Sequence, residues 1–180
     1  MGENSWARSD RAREPAQLGK PLVDPAAWLP GDLAGSEDWV QRLSAAELAE
    51  LDGAVDRIER RGLDIQDVER DDFPLPTLAA GLAEVRAELI DGRGFALVRG
   101  LPVARMSRAR VAAAFWGMGS HVGRALSQNA AGHVLGHVTD LGGDYAKVRG
   151  YLPNAQMGFH TDQCDILALA CLHGAKSGGD

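Results

Sequence analysis

Residues 158–164 have the sequence GFHTDQC and open the most strand-like stretch of the chain, which we expect to run to position 172. Residues two apart on a β-strand project from the same face, so the side chains of His160 and Asp162 are expected to lie side by side. An imidazole nitrogen and a carboxylate oxygen then face one point in space. Joined by a distant second histidine, two such donors form the two-His-one-carboxylate site that binds iron(II) and leaves coordination positions open.

A histidine two positions before an aspartate does not by itself establish a metal site. The chain has 5 histidines and 25 acidic residues, so such a pair arises readily by chance. The alternative is a histidine at the end of a strand that hydrogen-bonds to the nearby carboxylate and has a structural role only. The surrounding sequence has to decide between the two interpretations.

Upstream of this motif the sequence favours helices. Residues 44–47, SAAE, form a capping box, and apolar residues then recur every three or four positions through Arg61 until Gly62 permits a left-handed end. A second helix is predicted over Leu78–Ile90, where an Asp-Gly pair follows. A third is predicted over residues 107–118.

Strands are predicted mainly later in the chain. Residues 94–100, GFALVRG, form a short apolar run between glycines, which is typical of a buried strand. Further strands are predicted over residues 133–139 and 158–172. Residues 1–35 show no sustained period, and we expect a loosely ordered arm there. Helices thus come early and strands late, so the predicted fold class is α+β.

Composition restricts the classes of partner. The 180 residues have a net charge of −6, with 19 Lys+Arg and no basic block, which argues against nucleic acid and anionic membranes as partners. The two cysteines are too few for a disulfide framework, and the polar N-terminus carries no apolar segment typical of a secretory signal. We therefore expect an intracellular, cytoplasmic protein that is not embedded in a membrane.

Three segments together resemble the TauD/TfdA family of iron(II)- and 2-oxoglutarate-dependent dioxygenases. Residues 92–101, GRGFALVRGL, are similar to the family's first core strand and the Arg-Gly turn that ends it. The motif His160-Thr161-Asp162 follows an aromatic residue, as the family's metal motif does. Residues 175–180, AKSGGD, resemble the family's Gly-Gly-Asp turn. The resemblance covers roughly residues 70–180 and depends on the order and spacing of these segments.

The resemblance implies a fold, a cofactor and a reaction. The fold is a double-stranded β-helix, a jelly-roll core of the clavaminate synthase-like kind, incomplete in this chain and with the N-terminal helices packed outside it. His160 and Asp162 are the implied metal ligands and catalytic residues, with iron(II) as cofactor and 2-oxoglutarate as co-substrate. The implied reaction hydroxylates a small organic substrate with dioxygen and forms succinate and carbon dioxide. Family members often self-associate, so a homo-oligomer is compatible with the resemblance.

Part of the family's site has no match in this sequence. The family places its second metal histidine and the arginine that pairs with 2-oxoglutarate downstream of the Gly-Gly-Asp turn, whereas His121, His133 and His137 all precede His160. We therefore expect the chain to be an N-terminal portion of the enzyme, with residues 1–35 as the arm and residues 36–180 as part of the dioxygenase domain. The 2-oxoglutarate-binding residues are expected beyond Asp180.

Other polar residues are weaker candidates. Asn129 and Gln156, both ahead of the motif, could hydrogen-bond to substrate, and the alternative for each is a loop-capping role. His133 and His137 are four apart, but the glycines around them and the strand-like pattern favour structural or pocket roles over metal binding.

Two further function classes stay open at this stage. The first is a truncated, noncatalytic relative that acts as a binding or scaffold module. The second is another jelly-roll metalloprotein whose ligands all lie within this chain, which would require His133 or His137 for metal binding. A downstream histidine and arginine would favour the dioxygenase over both.

Overall fold

The computed structural model describes residues 15–127, 132–139, 160–162, 164–174 and 176. The chain divides into two compact units. One comprises Met1–Arg124 and Ala168–Asp180, and the other comprises Ala125–Leu167. The first unit contains every helix and strand of the described residues. Among the described residues, no helix combines the length and the apolar character needed to cross a membrane.

The capping box predicted at Ser44 is confirmed and starts helix α2, Ala45–Arg61. The Ser44 hydroxyl accepts a hydrogen bond from the backbone N–H of Glu47, whose carboxylate in turn accepts one from the backbone N–H of Ser44 at 2.7 Å. Gly62 ends the helix with φ of 62°, a left-handed conformation that glycine adopts without a Cβ clash. Both ends of α2 are therefore set by local sequence.

Two further long helices follow α2. Helix α3, Leu78–Ile90, has the bounds expected from the sequence. Helix α4, Arg108–Val122, begins after Ser107 as expected but continues one turn past the predicted end at position 118. It packs against both α2 and α3.

The hydrophobic core lies among these three helices and the loop that joins α2 to α3. From α2 the buried side chains are Leu51, Ala54, Val55 and Ile58, from the loop Val68, Phe73 and Leu75, from α3 Leu78 and Leu82, and from α4 Ala113 and Ala114. The apolar stripe predicted for α2 faces this core, as an amphipathic helix requires. The helices therefore stabilise one another through shared burial.

A two-stranded parallel sheet lies beside the helices. Strand β2, Leu97–Arg99, falls inside the strand predicted over residues 94–100, and pairs with strand β1, Val40–Arg42, which the sequence analysis did not predict. Hydrogen bonds from Leu97 N to Trp39 O and from Leu43 N to Arg99 O, each 2.8 Å, extend the pairing beyond both ends of β1. The short helix α1, Pro30–Leu33, precedes the sheet.

The segment before α1 contacts the region that precedes β2. The Trp28 indole N–H donates a hydrogen bond to the backbone oxygen of Arg93 at 3.0 Å, and its ring lies edge-on to Phe95 with centroids 5.1 Å apart. Phe95 also contacts Trp39, with ring centroids 5.6 Å apart. The division of the chain at position 35 stays a prediction.

The prediction of strands over residues 133–139 and 158–172 is wrong for those of these residues that the structure describes. Residues 133–139, 160–162 and 164–172 contain no strand. A strand is stabilised by hydrogen bonds to a neighbouring strand, and the described part of the chain provides no partner for either segment. Alternating or apolar patterns favour an extended backbone, but they do not supply the partner. The small parallel sheet and its helices are compatible with an incomplete double-stranded β-helix and do not display one.

Candidate metal centre

The two ligands predicted from the sequence lie close together. His160, Thr161 and Asp162 have no regular secondary structure, yet the Nε2 atom of His160 lies 3.9 Å from the Oδ1 atom of Asp162. The His160 side chain is 49% exposed and that of Asp162 is 45% exposed, so both can meet a ligand from solvent. The separation of two residues therefore places an imidazole and a carboxylate on one side of the backbone even without a strand.

This distance is compatible with a shared cation. Bonds from a divalent transition metal to histidine nitrogen or carboxylate oxygen are about 2.1 Å long, so two ligands of one ion can be at most about 4.2 Å apart. The two donor atoms meet this limit, and their chemical types suit iron(II), which binds imidazole and carboxylate together. The pair therefore fits as part of a metal site.

The described residues do not complete the coordination sphere. Among them, no group of three or more His, Cys, Asp or Glu side chains is placed to hold a metal ion. His133 and His137 are both exposed, and neither forms such a group with His160 and Asp162. The described structure thus gives no support to a site made entirely within this chain.

The two candidate substrate contacts fall elsewhere in the chain. Asn129 and Gln156 both lie outside the described residues, and so do Gly178, Gly179 and Asp180 of the Gly-Gly-Asp turn. Their roles stay predictions.

Sequence reasoning gave no role to His121, whose polar side chain is buried in the first unit. His121 lies in the last turn of α4, and its Nε2 atom is 2.7 Å from the backbone oxygen of Phe73. It also lines an open, shallow cleft beside the loop that joins α2 to α3. His121 and Phe73 are 48 positions apart in the sequence, so no local motif could have indicated the hydrogen bond between them.

Comparison with known proteins assigns the chain to a family. Residues 59–180 match the family model described as taurine catabolism dioxygenase TauD, TfdA family. The FR-33289 synthase of Streptomyces rubellomurinus is 31% identical over 166 residues, which cover 91% of this chain and 49% of that protein. The taurine hydroxylase-like protein SAT17 of Stachybotrys chartarum is 32% identical over 172 residues, 91% of this chain and 45% of that protein.

Two facts follow from these matches. The chain spans about half the length of the curated relatives it matches. The matched residues include two of the segments on which the resemblance was based. These are β2 with its preceding turn and the His160–Asp162 pair. The resemblance inferred from the sequence motifs is therefore confirmed, and the chain belongs to the TauD/TfdA family.

Proposed function

We propose that the whole protein is an iron(II)- and 2-oxoglutarate-dependent dioxygenase that hydroxylates a small organic substrate and forms succinate and carbon dioxide. The observation that carries this proposal is the His160–Asp162 pair, 3.9 Å apart in a chain of the TauD/TfdA family. When bound, iron(II) supplies open coordination positions at which 2-oxoglutarate and dioxygen react.

The roles of the two side chains follow from their chemistry. His160 binds through the lone pair of Nε2, so its ring must be neutral at that nitrogen. Asp162 binds through a carboxylate oxygen and offsets part of the cation's charge. Its second oxygen remains able to accept a hydrogen bond, which would fix the orientation of the carboxylate. Both side chains are about half exposed, so the face they present is open to co-substrates.

We further propose that the remaining ligands come from sequence that follows this chain. The described residues supply two donors, and the relatives are about twice as long as the segment they share with this chain. The proposed substrate belongs to the class of small organic molecules; one relative is named a synthase and the other a taurine hydroxylase-like protein. Asn129 and Gln156 are the proposed substrate contacts, and the cytoplasm is the proposed location.

Iron(II) binding by a form of the protein that includes the downstream sequence tests the metal assignment. We expect His160→Ala and Asp162→Ala each to weaken iron(II) binding by at least about tenfold. Mutation of a residue that only hydrogen-bonds to a metal ligand already lowers metal affinity by about this factor, and loss of the ligand itself should lower it at least as much. The matched controls are His137→Ala and Asp165→Ala, which change the same residue types nearby and should leave the affinity unchanged. Equal affinity of Asp162→Ala and wild type would rule out Asp162 as a ligand.

The noncatalytic alternative makes a different prediction for the native protein. If the mature protein has the mass of this chain, 19.1 kDa, it would lack the distal ligands, and a binding or scaffold role would describe it better. An intact mass well above this value, with a histidine and an arginine downstream, would support the dioxygenase.

A further inference from the structure

Residues 24–29 contact the turn that leads from α3 into β2. The indole N–H of Trp28 donates a hydrogen bond to the backbone oxygen of Arg93 at 3.0 Å, and the Trp28 ring lies edge-on to Phe95 with centroids 5.1 Å apart. We call residues 24–29 the strap, and residues 93–95, which it contacts, the floor. A hydrogen bond and an edge-to-face ring pair both require a fixed orientation, so the strap has one defined closed position.

The strap has internal order of its own. Asp24 starts a turn in which its backbone oxygen accepts a hydrogen bond from the N–H of Ala27 at 2.9 Å and its carboxylate accepts one from the N–H of Ala26 at 2.8 Å. Aspartate favours such turns because its short side chain reaches the backbone two residues on. The Cβ atom of Ala26 lies 3.6 Å from the place that a Cβ on Gly94 would occupy. The turn thus brings Ala26 to the floor together with the tryptophan, and the strap can move as one unit.

Little apolar area holds the strap in place. None of the described residues 15–36 is buried, and within the strap Trp28 is 40% exposed and Leu29 is 69% exposed. A single hydrogen bond and a single ring pair each contribute weakly to stability, whereas each ordered residue loses backbone freedom of comparable free energy. The closed position is therefore only slightly favoured over an open one.

The floor does not depend on the strap for its own support. The Glu88 carboxylate accepts hydrogen bonds from the backbone N–H of Arg93 at 2.9 Å and from its Nε at 2.6 Å. Phe95 also contacts Trp39, with ring centroids 5.6 Å apart, and the backbone oxygen of Trp39 accepts the hydrogen bond from Leu97 that extends the sheet. Helix α3 and the residue before β1 thus hold the floor, so departure of the strap leaves it in place.

We propose that the strap opens and closes reversibly on the floor while the helical core and the parallel sheet stay folded. In the closed state the strap covers the carbonyl of Arg93 and one side of the Phe95 ring, and in the open state both become accessible. The strap lies in the unit that contains neither His160 nor Asp162, so its opening can be measured independently of the proposed oxygenase activity.

Hydrogen exchange of three indole N–H groups, followed in one ¹⁵N spectrum of the full chain, tests this device. Trp28, Trp39 and Trp116 each donate a hydrogen bond to a backbone oxygen, at 3.0, 3.0 and 2.9 Å. Trp28 reports on the strap, Trp39 on the floor, and Trp116, which packs against the core, on the core. We expect the Trp28 N–H to exchange at least about threefold more slowly than a free indole and at least about tenfold faster than that of Trp116. The Trp39 N–H should exchange more slowly than that of Trp28.

Urea below the unfolding transition separates local opening from global unfolding. The exchange rate of the Trp28 N–H should stay constant there, because opening of the strap exposes little new surface and sensitivity to denaturant scales with the surface exposed. The proposal fails if this rate rises with urea in step with that of Trp116, which would make the strap part of the cooperative core. It also fails if the Trp28 N–H exchanges like a free indole, which would mean that the strap does not close.

A variant in the turn of the strap sharpens the test. Asp24→Ala removes the carboxylate that binds the Ala26 N–H and should raise the exchange rate of Trp28 at least about twofold, since one hydrogen bond of the closed strap is lost. The rates of the other two indole groups should not change. The matched control is Val23→Ala, at a neighbouring position that is 94% exposed, which should leave all three rates unchanged. An unchanged Trp28 rate in Asp24→Ala would contradict the proposal.

Discussion

Helices α2 to α4 and the described residues that follow Arg124 differ most in burial. The helical region contains side chains that are fully removed from solvent, such as Val55, Phe73 and Leu78 at 0% exposure. By contrast, none of the described residues from Arg124 onward is buried, and His160 and Asp162 are among them. The candidate metal ligands thus lie where burial is least, and the packed core contains none of them.

This contrast predicts that stability and chemistry can be separated by mutation. Substitutions in the core should lower the free energy of unfolding by amounts set by packing, because burial of apolar area is the main stabilising term. Substitutions of His160 or Asp162, the proposed metal ligands, should change metal binding while leaving that free energy nearly unchanged.

Phe73→Ala should have the largest effect. Its ring is fully buried in the core, and removal of such a ring costs about 3–5 kcal/mol through lost burial and the cavity that remains. Val138→Ala, at a position that is 71% exposed, is the matched control and should cost less than about 0.5 kcal/mol. Urea unfolding of both variants measures the difference, and equal losses would contradict the assigned core.

Gly117→Ala should destabilise the protein by about 1–3 kcal/mol, because a Cβ on Gly117 would overlap the Phe73 ring. Gly119→Ala is the control in the same helix, where a Cβ meets no atom within 4 Å. That change should stabilise α4 by about 0.5–1 kcal/mol, since alanine favours a helix over glycine. Thermal unfolding of the pair should therefore give shifts of opposite sign, and a shared sign would show that Gly117 is not in close contact with Phe73.

Glu50→Gln tests how α3 begins. The Thr77 side chain forms no capping hydrogen bond, and the Glu50 carboxylate accepts bonds from the backbone N–H groups of Thr77 and Leu78 at 2.9 and 3.0 Å instead. Loss of this charged cap should cost about 1 kcal/mol. Glu84→Gln, an exposed change on α3, should cost almost nothing.

The same carboxylate gives a pH dependence with a defined sign. Burial raises the pKa of Glu50, but hydrogen bonds from Thr77 and Leu78 outweigh it and hold the pKa below the ordinary glutamate value of 4.5. The folded state therefore gains stability from Glu50 above pH 4.5 and loses it as the pH falls through the lowered pKa. The stability difference between wild type and Glu50→Gln should be constant near neutrality and shrink in acid. A difference that grows in acid would contradict this cap.

Arg110→Gln should have the smallest of these effects on stability. Arg110 joins α4 to α2 through ion pairs with Asp52 at 2.6 Å, Asp56 at 2.8 Å and Glu59. We expect a loss of about 0.5–1 kcal/mol that decreases at high salt, because the network is partly exposed and its charges are screened. The control Arg60→Gln removes a contact of 4.0 Å and should cost less. A loss independent of salt would indicate packing rather than charge.

The sequence predicted those elements whose ends are set by nearby residues. The Ser44 cap, the Gly62 end and the bounds of α3 follow from local propensities. The extra turn of α4 was not predicted, because it contains Gly119 and is followed by Gly123, and glycine usually weakens a helix.

Features that depend on distant residues were harder to predict. Strand β1 has three residues and exists because β2, more than fifty residues later, pairs with it. The strands expected after position 132 failed for the same reason, because their pattern could not supply a partner. At the candidate site, the expectation that His160 and Asp162 lie together rested on a strand that residues 160–162 do not form, although the two side chains are 3.9 Å apart. The cleft at His121 depends on contacts across 48 residues, and the sequence gave no indication of it.

The most direct test of the proposed function is iron-dependent succinate formation from 2-oxoglutarate by a form of the protein that includes the downstream sequence. We expect turnover that requires iron(II), that is abolished in Asp162→Ala and in His160→Ala, and that persists in Asp165→Ala. All of these variants should keep the unfolding free energy of the wild type within about 0.5 kcal/mol, since the positions are exposed. Undiminished succinate formation by Asp162→Ala would contradict the assignment of this pair as the iron site.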